Sequence, residues 1–242
     1  MYYYVLESPS SRAVRQTYQK LRDILTNLGI AGEMVTASPA RTPTELTQMG
    51  VSKGYSTIVA VGGDDHIDEV AIAALGQAVL GVVPINASGL VTELVGVRDL
   101  RDAAESLKRR RLTTHSVVFV EPDNAFFLDA VVNAPKLAKI SLVLDNKVRV
   151  HSYFNTLTIN RALELHLTSE HITEPKKILG LFSTGGKKVT SESFFHPRQV
   201  RIITEPPLPL MVGSTKVALT PTELRLVPES LKVITKRGTV LE

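Results

Sequence analysis

A chain of 242 residues, 43% of them hydrophobic, is long enough for one large or two small globular domains. It has no cysteine, which excludes a disulfide framework, a thiol nucleophile and a thiolate metal site; it also has no run of 18 apolar residues that would read as a membrane-spanning helix. The net charge of +4 is uneven: residues 1–110 carry 11 Lys and Arg against 12 Asp and Glu, and residues 111–242 carry 17 against 12.

The first half alternates strands and helices. Tyr2 to Leu6 reads as a strand and Glu7-Ser-Pro-Ser-Ser11 as a turn. Between Arg12 and Leu28, Val14, Tyr18, Leu21, Leu25 and Leu28 form one helical stripe, with Gly29 as the stop. Ala31 to Thr36 is a second strand. Thr42-Pro-Thr-Glu opens another helix, with Pro43 in its first turn, ending near Gly54. Thr57 to Val61 is an apolar run of the kind found in buried parallel strands. Gly62-Gly63 breaks it. Asp65 then stands where an N-cap would, with Asp68 three residues on, and Val70, Ala71, Ala74 and Leu75 follow at helical spacing. Val79 to Val83 is a fourth strand closed by Pro84. Leu90 to Val95 is a short helix and Leu100 to Arg110 a longer one. This alternation predicts an α/β, doubly wound parallel sheet, whose ligands sit beyond the carboxyl ends of the strands. The loops at Glu7–Ser11, Thr36, Gly62–His66 and Pro84–Gly89 all fall at that edge and can converge.

From Thr113 the pattern changes to short extended segments. They run over Ser116–Val120, Ala125–Val132, Ile140–Leu144, Lys147–Tyr153, Asn155–Ile159 and Ala162–Leu167, with Asp145-Asn146 as a hairpin turn. The reading is a C-terminal antiparallel β-sandwich, with domains at 1–112 and 113–242. Thr184-Gly-Gly-Lys-Lys188 reads as an ordinary loop, because its Lys lacks the Ser or Thr partner of a phosphate loop. His115, His151, His166, His171 and His196 are scattered without ligand spacing, and no Ser-His-Asp arrangement emerges. The basic second half is read first as a solvated mixed surface. An anionic membrane surface is the alternative, and no nucleic-acid partner is expected, since little aromatic stacking surface accompanies the charge. The chain's start lacks a basic segment followed by a long apolar core, so it does not read as a signal peptide. With the lack of cysteine, this leads to an expected cytoplasmic location, peripheral membrane association remaining an option.

The stretch around which the rest is organised is Ser56 to Leu75. A strand, a Gly-Gly turn and a helix start aim free backbone N–H groups and a positive dipole end at one spot, a geometry that receives anions. Its centre, Val-Gly-Gly-Asp-Asp-His-Ile-Asp-Glu-Val from Val61 to Val70, resembles the Gly-Gly-Asp-Gly-Thr-x-Asn-Glu-Val signature of the diacylglycerol kinase catalytic domain. That family includes lipid and sphingoid-base kinases and is distantly related to NAD kinases. The family's first loop reads Asn-Pro-x-Ser-Gly; here Ser8-Pro-Ser-Ser11 keeps the Pro and a Ser. Thr36 matches a Thr that closes the family's second strand. In the loop after strand 4, Pro84-Ile-Asn-Ala-Ser-Gly-Leu90 keeps Pro84 but has Asn86-Ala87 for Gly-Thr. Near the C-terminus, Thr220-Pro221 and Pro228-Glu-Ser-Leu231 are kept, while the family's Asp-Gly-Glu has become Val212-Gly213-Ser214.

The resemblance implies transfer of the γ-phosphate of ATP, with Mg²⁺, to a hydroxyl of a lipid or other small molecule, and hence a role in lipid metabolism. Asp64 takes the place of the base or metal-side carboxylate. Ser8, Ser11, Thr36, Gly62, Gly63, Asp65, His66, Glu69, Asn86 and Gly213 are the implied nucleotide-side positions. Nucleotide is the implied partner, with a lipid or membrane surface and a homodimer as open options. The residues also speak against this. Ser214 carries no charge where the family has Glu, and Asp65 and Asp68 add negative charge where a polyphosphate would sit. Each such repulsion is worth about 3 kcal/mol at ~5 Å and an effective dielectric of ~20. A cation held by Asp64, Asp65, His66 and Asp68 would reverse that sign; the plainer reading caps the helix with Asp65 and Asp68 and leaves His66 on a solvated first turn. The competing class is therefore a pseudoenzyme, a binding or regulatory module that has kept the fold and lost the chemistry. NAD kinase-like activity on a dinucleotide is the third reading.

Overall fold

The computed structural model describes residues 1–172, 177–178, 182–183 and 188–236. Its chain divides into two compact units, residues 1–117 with 227–242, and residues 118–226. The boundary thus falls five residues beyond the 112–113 break read from the sequence, and the C-terminal segment returns to the first unit. The change of pattern at Thr113 marks where a strand begins. That strand, β5 (Leu112–Val120), runs through the unit boundary.

The first unit is built on parallel strands β1 (Tyr2–Leu6), β2 (Glu33–Thr36), β3 (Thr57–Gly62) and β4 (Val79–Pro84), in the order β2-β1-β3-β4. The helices α1 (Arg12–Asn27), α2 (Pro43–Ser52) and α3 (Asp64–Ala74) connect them, and α4 (Gly89–Val95) and α5 (Leu100–Arg109) follow β4. Strands β3 and β4 are apolar on both sides because both faces are covered: Ile58, Val59, Ala60, Val61, Leu80 and Val83 are fully buried. At ~1.5–3 kcal/mol for each large aliphatic side chain, this sheet is the unit's main source of stability. Helix α2 begins as expected: Thr42 accepts from the Glu45 N–H while the Glu45 carboxylate accepts from the Thr42 N–H. Helix α3 does not. Strand β3 runs through Gly62, the cap is Gly63 in extended conformation, and the helix starts at Asp64. Asp65 therefore lies within the first turn instead of capping it. The last strand returns here, with Val233 beside Leu80 in parallel.

The order of these strands fixes where a ligand could go. From β1 the chain winds outward through α1 to β2; from β3 it winds the opposite way through α3 to β4. The reversal leaves a crevice between the carboxyl ends of β1 and β3, the switch point at which ligands of such sheets bind.

The second unit is antiparallel. It holds β6 (Asn124–Phe126), β7 (Asp129–Leu144), β8 (Val148–Asn160), β9 (Leu165–Ile172), the pair β10 (Lys177–Ile178) and β11 (Phe182–Ser183), β12 (Lys188–Phe195), β13 (Gln199–Glu205), β14 (Pro209–Val212), β15 (Thr215–Leu219) and the start of β16 (Thr222–Ile234). The strand order is β12-β9-β8-β7-β13-β16, with β14 pairing both β7 and β15. Phe126, Val132, Ile140, Leu142, Phe154, Leu157, Ile202 and Leu210 fill its core. Strand β7 is one long strand where the sequence suggested two, because a register shift between Asn133 and Ala138 absorbs the polar interruption without ending the pairing. Strand β8 likewise merges two expected segments. Asp145 and Asn146 both have positive φ, 50° and 56°, as the hairpin reading required. Of the Thr184–Lys188 loop, residues 184–187 lie outside the described residues.

Candidate functional site

Backbone hydrogen bonds draw the loops at the carboxyl edge of the parallel sheet together. The Ala37 N–H donates to Leu6 O, the Glu7 N–H to Val61 O, and the Ile85 N–H to Gly62 O, all at 2.8–2.9 Å. The loops after β1, β3 and β4 thus meet around the N-terminus of α3. The Asp64 carboxylate accepts from the Ser88 N–H at 2.8 Å, tying the start of α3 to the loop after β4.

The anion position at this helix end is filled from within the chain. The Glu7 carboxylate accepts from the Gly63 N–H at 2.9 Å. Gly62 leaves the room for it, since a β-carbon there would lie 2.7 Å from both Cβ and Oε2 of Glu7. Glu7 is held at its backbone as well: its N–H bonds Val61, and its carbonyl accepts from the Tyr18 hydroxyl at 2.9 Å. Burial and the nearby Glu7 charge push that phenol up to about 12. Three carboxylates, Glu7, Asp64 and Asp65, therefore stand at the positive end of α3. A carboxylate at a helix N-terminus is stabilising by ~0.3–1 kcal/mol, and a hydrogen bond to a charged group by ~1.5–3 kcal/mol.

The implied site residues separate in space. Gly62, Gly63 and Asp64 lie together at the carboxyl end of β3 and the start of α3. Asn86 is exposed with φ 57°, a left-handed conformation Asn tolerates, and its carbonyl oxygen lies 3.6 Å from where a Gly63 β-carbon would be. Asp65 is exposed. His66 is not on a solvated turn: it is 4% exposed and its Nε2 lies 2.9 Å from Val5 O. A carbonyl only accepts, so Nε2 carries the proton. Burial pulls the imidazole below its ordinary pKa, against the opposing pull of that hydrogen bond and of Glu7 and Glu69. Asp68 is buried too, 5% exposed, and not at a solvated helix cap. Glu69 points away from the crevice, its carboxylate accepting from the Thr44 N–H and hydroxyl at the start of α2. Ser11 caps α1 through the Val14 N–H. Ser8 and Thr36 are exposed on the loop after β1 and at the end of β2. Gly213 belongs to the other unit, at positive φ in the turn between β14 and β15.

Sequence reading missed Glu7, which it placed in a turn and passed over because the family motif begins one residue later. Its signal was position: an acid at the carboxyl end of β1, facing a Gly-Gly turn. Two acids of the C-terminal segment that could stand in for the missing Glu of the triplet, Glu205 and Glu223, are both engaged within the second unit. Glu205 lies 3.8 Å from Lys139, and Glu223 accepts from the Gln199 amide. Asp64 is committed to Ser88, and among the described residues no three His, Asp or Glu side chains gather as a metal site.

This topology and crevice define a class. A diacylglycerol kinase from Bacillus anthracis superposes with a TM-score of 0.72 at 12% identity, over 99% of this chain and 98% of that one. An NAD kinase from Archaeoglobus fulgidus in complex with ATP gives 0.60 at 14%, over 99% and 94%. Yeast NADH kinase complexed with NADH gives 0.61 at 9%, over 99% and 84%. At such identities the likeness is one of fold: an N-terminal parallel α/β unit with an antiparallel unit, as in diacylglycerol kinases and NAD kinases. Within that class, residues 4–120 match the family model of the diacylglycerol kinase catalytic domain. No curated protein matches the chain in sequence. No helix among the described residues is long and apolar enough to cross a membrane.

Proposed function

We propose that this diacylglycerol kinase-like protein does not transfer phosphate and acts as a binding or regulatory module whose nucleotide crevice is closed by its own Glu7. The observation that carries this reading is the hydrogen bond from the Gly63 N–H to the Glu7 carboxylate, in the position a phosphate oxygen would need. Phosphoryl transfer is mostly positioning and charge stabilisation, and it requires donors and cations around the phosphates. Here the donor is taken, two further carboxylates flank it, and Ser214 stands where the family carries an acid.

Asp64 favours a second reading. It occupies the family's carboxylate position at the edge of the crevice, so an active form would use it as base or metal-side ligand. Gly62, Gly63 and Thr36 would then surround the phosphates of ATP, with a lipid hydroxyl as acceptor. Thermal unfolding with ATP, with and without Mg²⁺ or Mn²⁺, separates the two. A ligand at 100 times its Kd adds ~2.7 kcal/mol, which for a chain of this size raises Tm by roughly 5–10 °C. The proposal expects no shift at millimolar ATP. A metal-dependent rise of several degrees sinks it in favour of the kinase.

A further inference from the structure

One face of the antiparallel unit gathers cations. Pairing register sets Arg201 of β13, Val143 of β7 and Arg149 of β8 side by side; the next row is Ile203, Ser141 and His151. Their chain neighbours Ile140, Leu142 and Ile202 are buried in the core, so these rows stand on the opposite face. Two cavities open there, of about 430 and 220 Å³, and both are lined by Ser141, His151 and Ile203. The smaller is also lined by Arg149 and Arg201, the larger by Tyr153, which is 53% exposed.

The charges are unbalanced. Lys139 pairs loosely with Glu205, and Glu223, opposite Arg201 on β16, accepts from the Gln199 amide. Arg149 and Arg201 have no ion-pair partner among the described residues. Their backbones are two strands apart, roughly 10 Å, a span that two guanidinium side chains close around one anion. The Ser141 hydroxyl and His151 Nδ1 bond each other at 2.8 Å, which leaves the other ring nitrogen for a ligand. Two forked guanidinium donors and one further donor from the Ser141–His151 pair match an anion with three oxygens better than a two-oxygen carboxylate.

We propose that this face binds a phosphomonoester. Arg149 and Arg201 neutralise the phosphate, the hydrogen-bonded Ser141–His151 pair supplies one further donor, and Ile203 and Tyr153 receive the apolar remainder. This site is independent of the Glu7 crevice and of whether phosphate is transferred there.

The test uses the full chain at fixed ionic strength. Inorganic phosphate and glycerol 3-phosphate are titrated by calorimetry, following the His151 ring resonances by NMR. Cosedimentation is measured with phosphatidylcholine vesicles with and without phosphatidic acid. The expected result is saturable binding that shifts His151 and weakens about tenfold for each of Arg149→Gln and Arg201→Gln, with Lys216→Gln unchanged. Binding of the soluble esters alone assigns a free metabolite, and binding of phosphatidic acid vesicles alone assigns a lipid headgroup; both support the site. No binding of any probe overturns it, and so does binding that leaves His151 unmoved or survives in the double arginine variant. The His151 signal reads the intact protein, so the inference does not depend on how the variants fold.

Discussion

Replacing Glu7 by Gln should open the crevice to phosphate. The side chain keeps its length, but the charge on the Gly63 N–H is lost. In the native chain a phosphate oxygen can take that N–H only by displacing the carboxylate, which then remains nearby. Breaking the charged hydrogen bond costs ~1.5–3 kcal/mol before new bonds form. A carboxylate left ~5 Å from one phosphate charge adds about 3 kcal/mol at an effective dielectric of ~20, reduced to ~1 kcal/mol by screening and rotation outward. The sum, ~2.5–4 kcal/mol, corresponds to a gain of roughly seventy-fold to nearly a thousand-fold in affinity for inorganic pyrophosphate or ATP. The variant itself should lose ~1 kcal/mol of stability, or roughly 2–4 °C in Tm. Isothermal titration of both proteins with pyrophosphate reads the gain, with Asp23→Asn on α1 as a charge-matched control. An unchanged affinity in Glu7→Gln, or a gain equalled by Asp23→Asn, would refute the view that Glu7 occupies the anion position. Tight pyrophosphate binding by the native protein would refute it equally.

Two further outcomes follow from the same unit. Glu69→Ala removes the acceptor for two donors at the start of α2, so it should cost ~1–2 kcal/mol and lower Tm by roughly 3–6 °C in differential scanning, without altering pyrophosphate affinity. His66 is held below the unfolded imidazole value of ~6.5, so the unfolded chain binds its proton first as pH falls. The stability from the neutral buried ring is complete above ~6.5 and is lost as pH drops from there through the folded pKa. Urea unfolding at a series of pH values should show this slope in the native chain and a flatter one in His66→Gln; equal slopes contradict the assignment.

The parallel half was legible because its signals are local and redundant. Buried strands read as apolar runs, Pro43 and Thr42 announce α2, and Gly29 stops α1. Failures came where a shift of one or two residues changes the outcome. Helix α3 is capped by Gly63, two residues before the expected Asp65, so Asp65 falls inside the first turn, and His66 and Asp68 are buried. In the antiparallel half, a register shift inside a pair of long strands looks in sequence like the gap between short ones. Glu7 was illegible for a different reason. Its meaning depends on a partner 56 residues away, and no local pattern records that the first strand ends beside the third.

The persistence of this crevice in a chain with altered motifs has a physical basis. The strand order puts the carboxyl ends of β1 and β3 side by side whatever the loops contain, and a helix that starts there presents unpaired N–H groups and a positive dipole end. An N–H left unpaired in that crevice is costly, so a crevice without phosphate needs another acceptor. Glu7, one residue past β1, is close enough to serve. The glycine that would let a phosphate approach closely is the same residue that makes room for the carboxylate, since any side chain at 62 would collide with Glu7. Retention of Gly62-Gly63 is therefore no evidence of nucleotide binding in this chain. The residue that discriminates is the one at position 7, where a neutral side chain holds the donor weakly or not at all and an acid closes it.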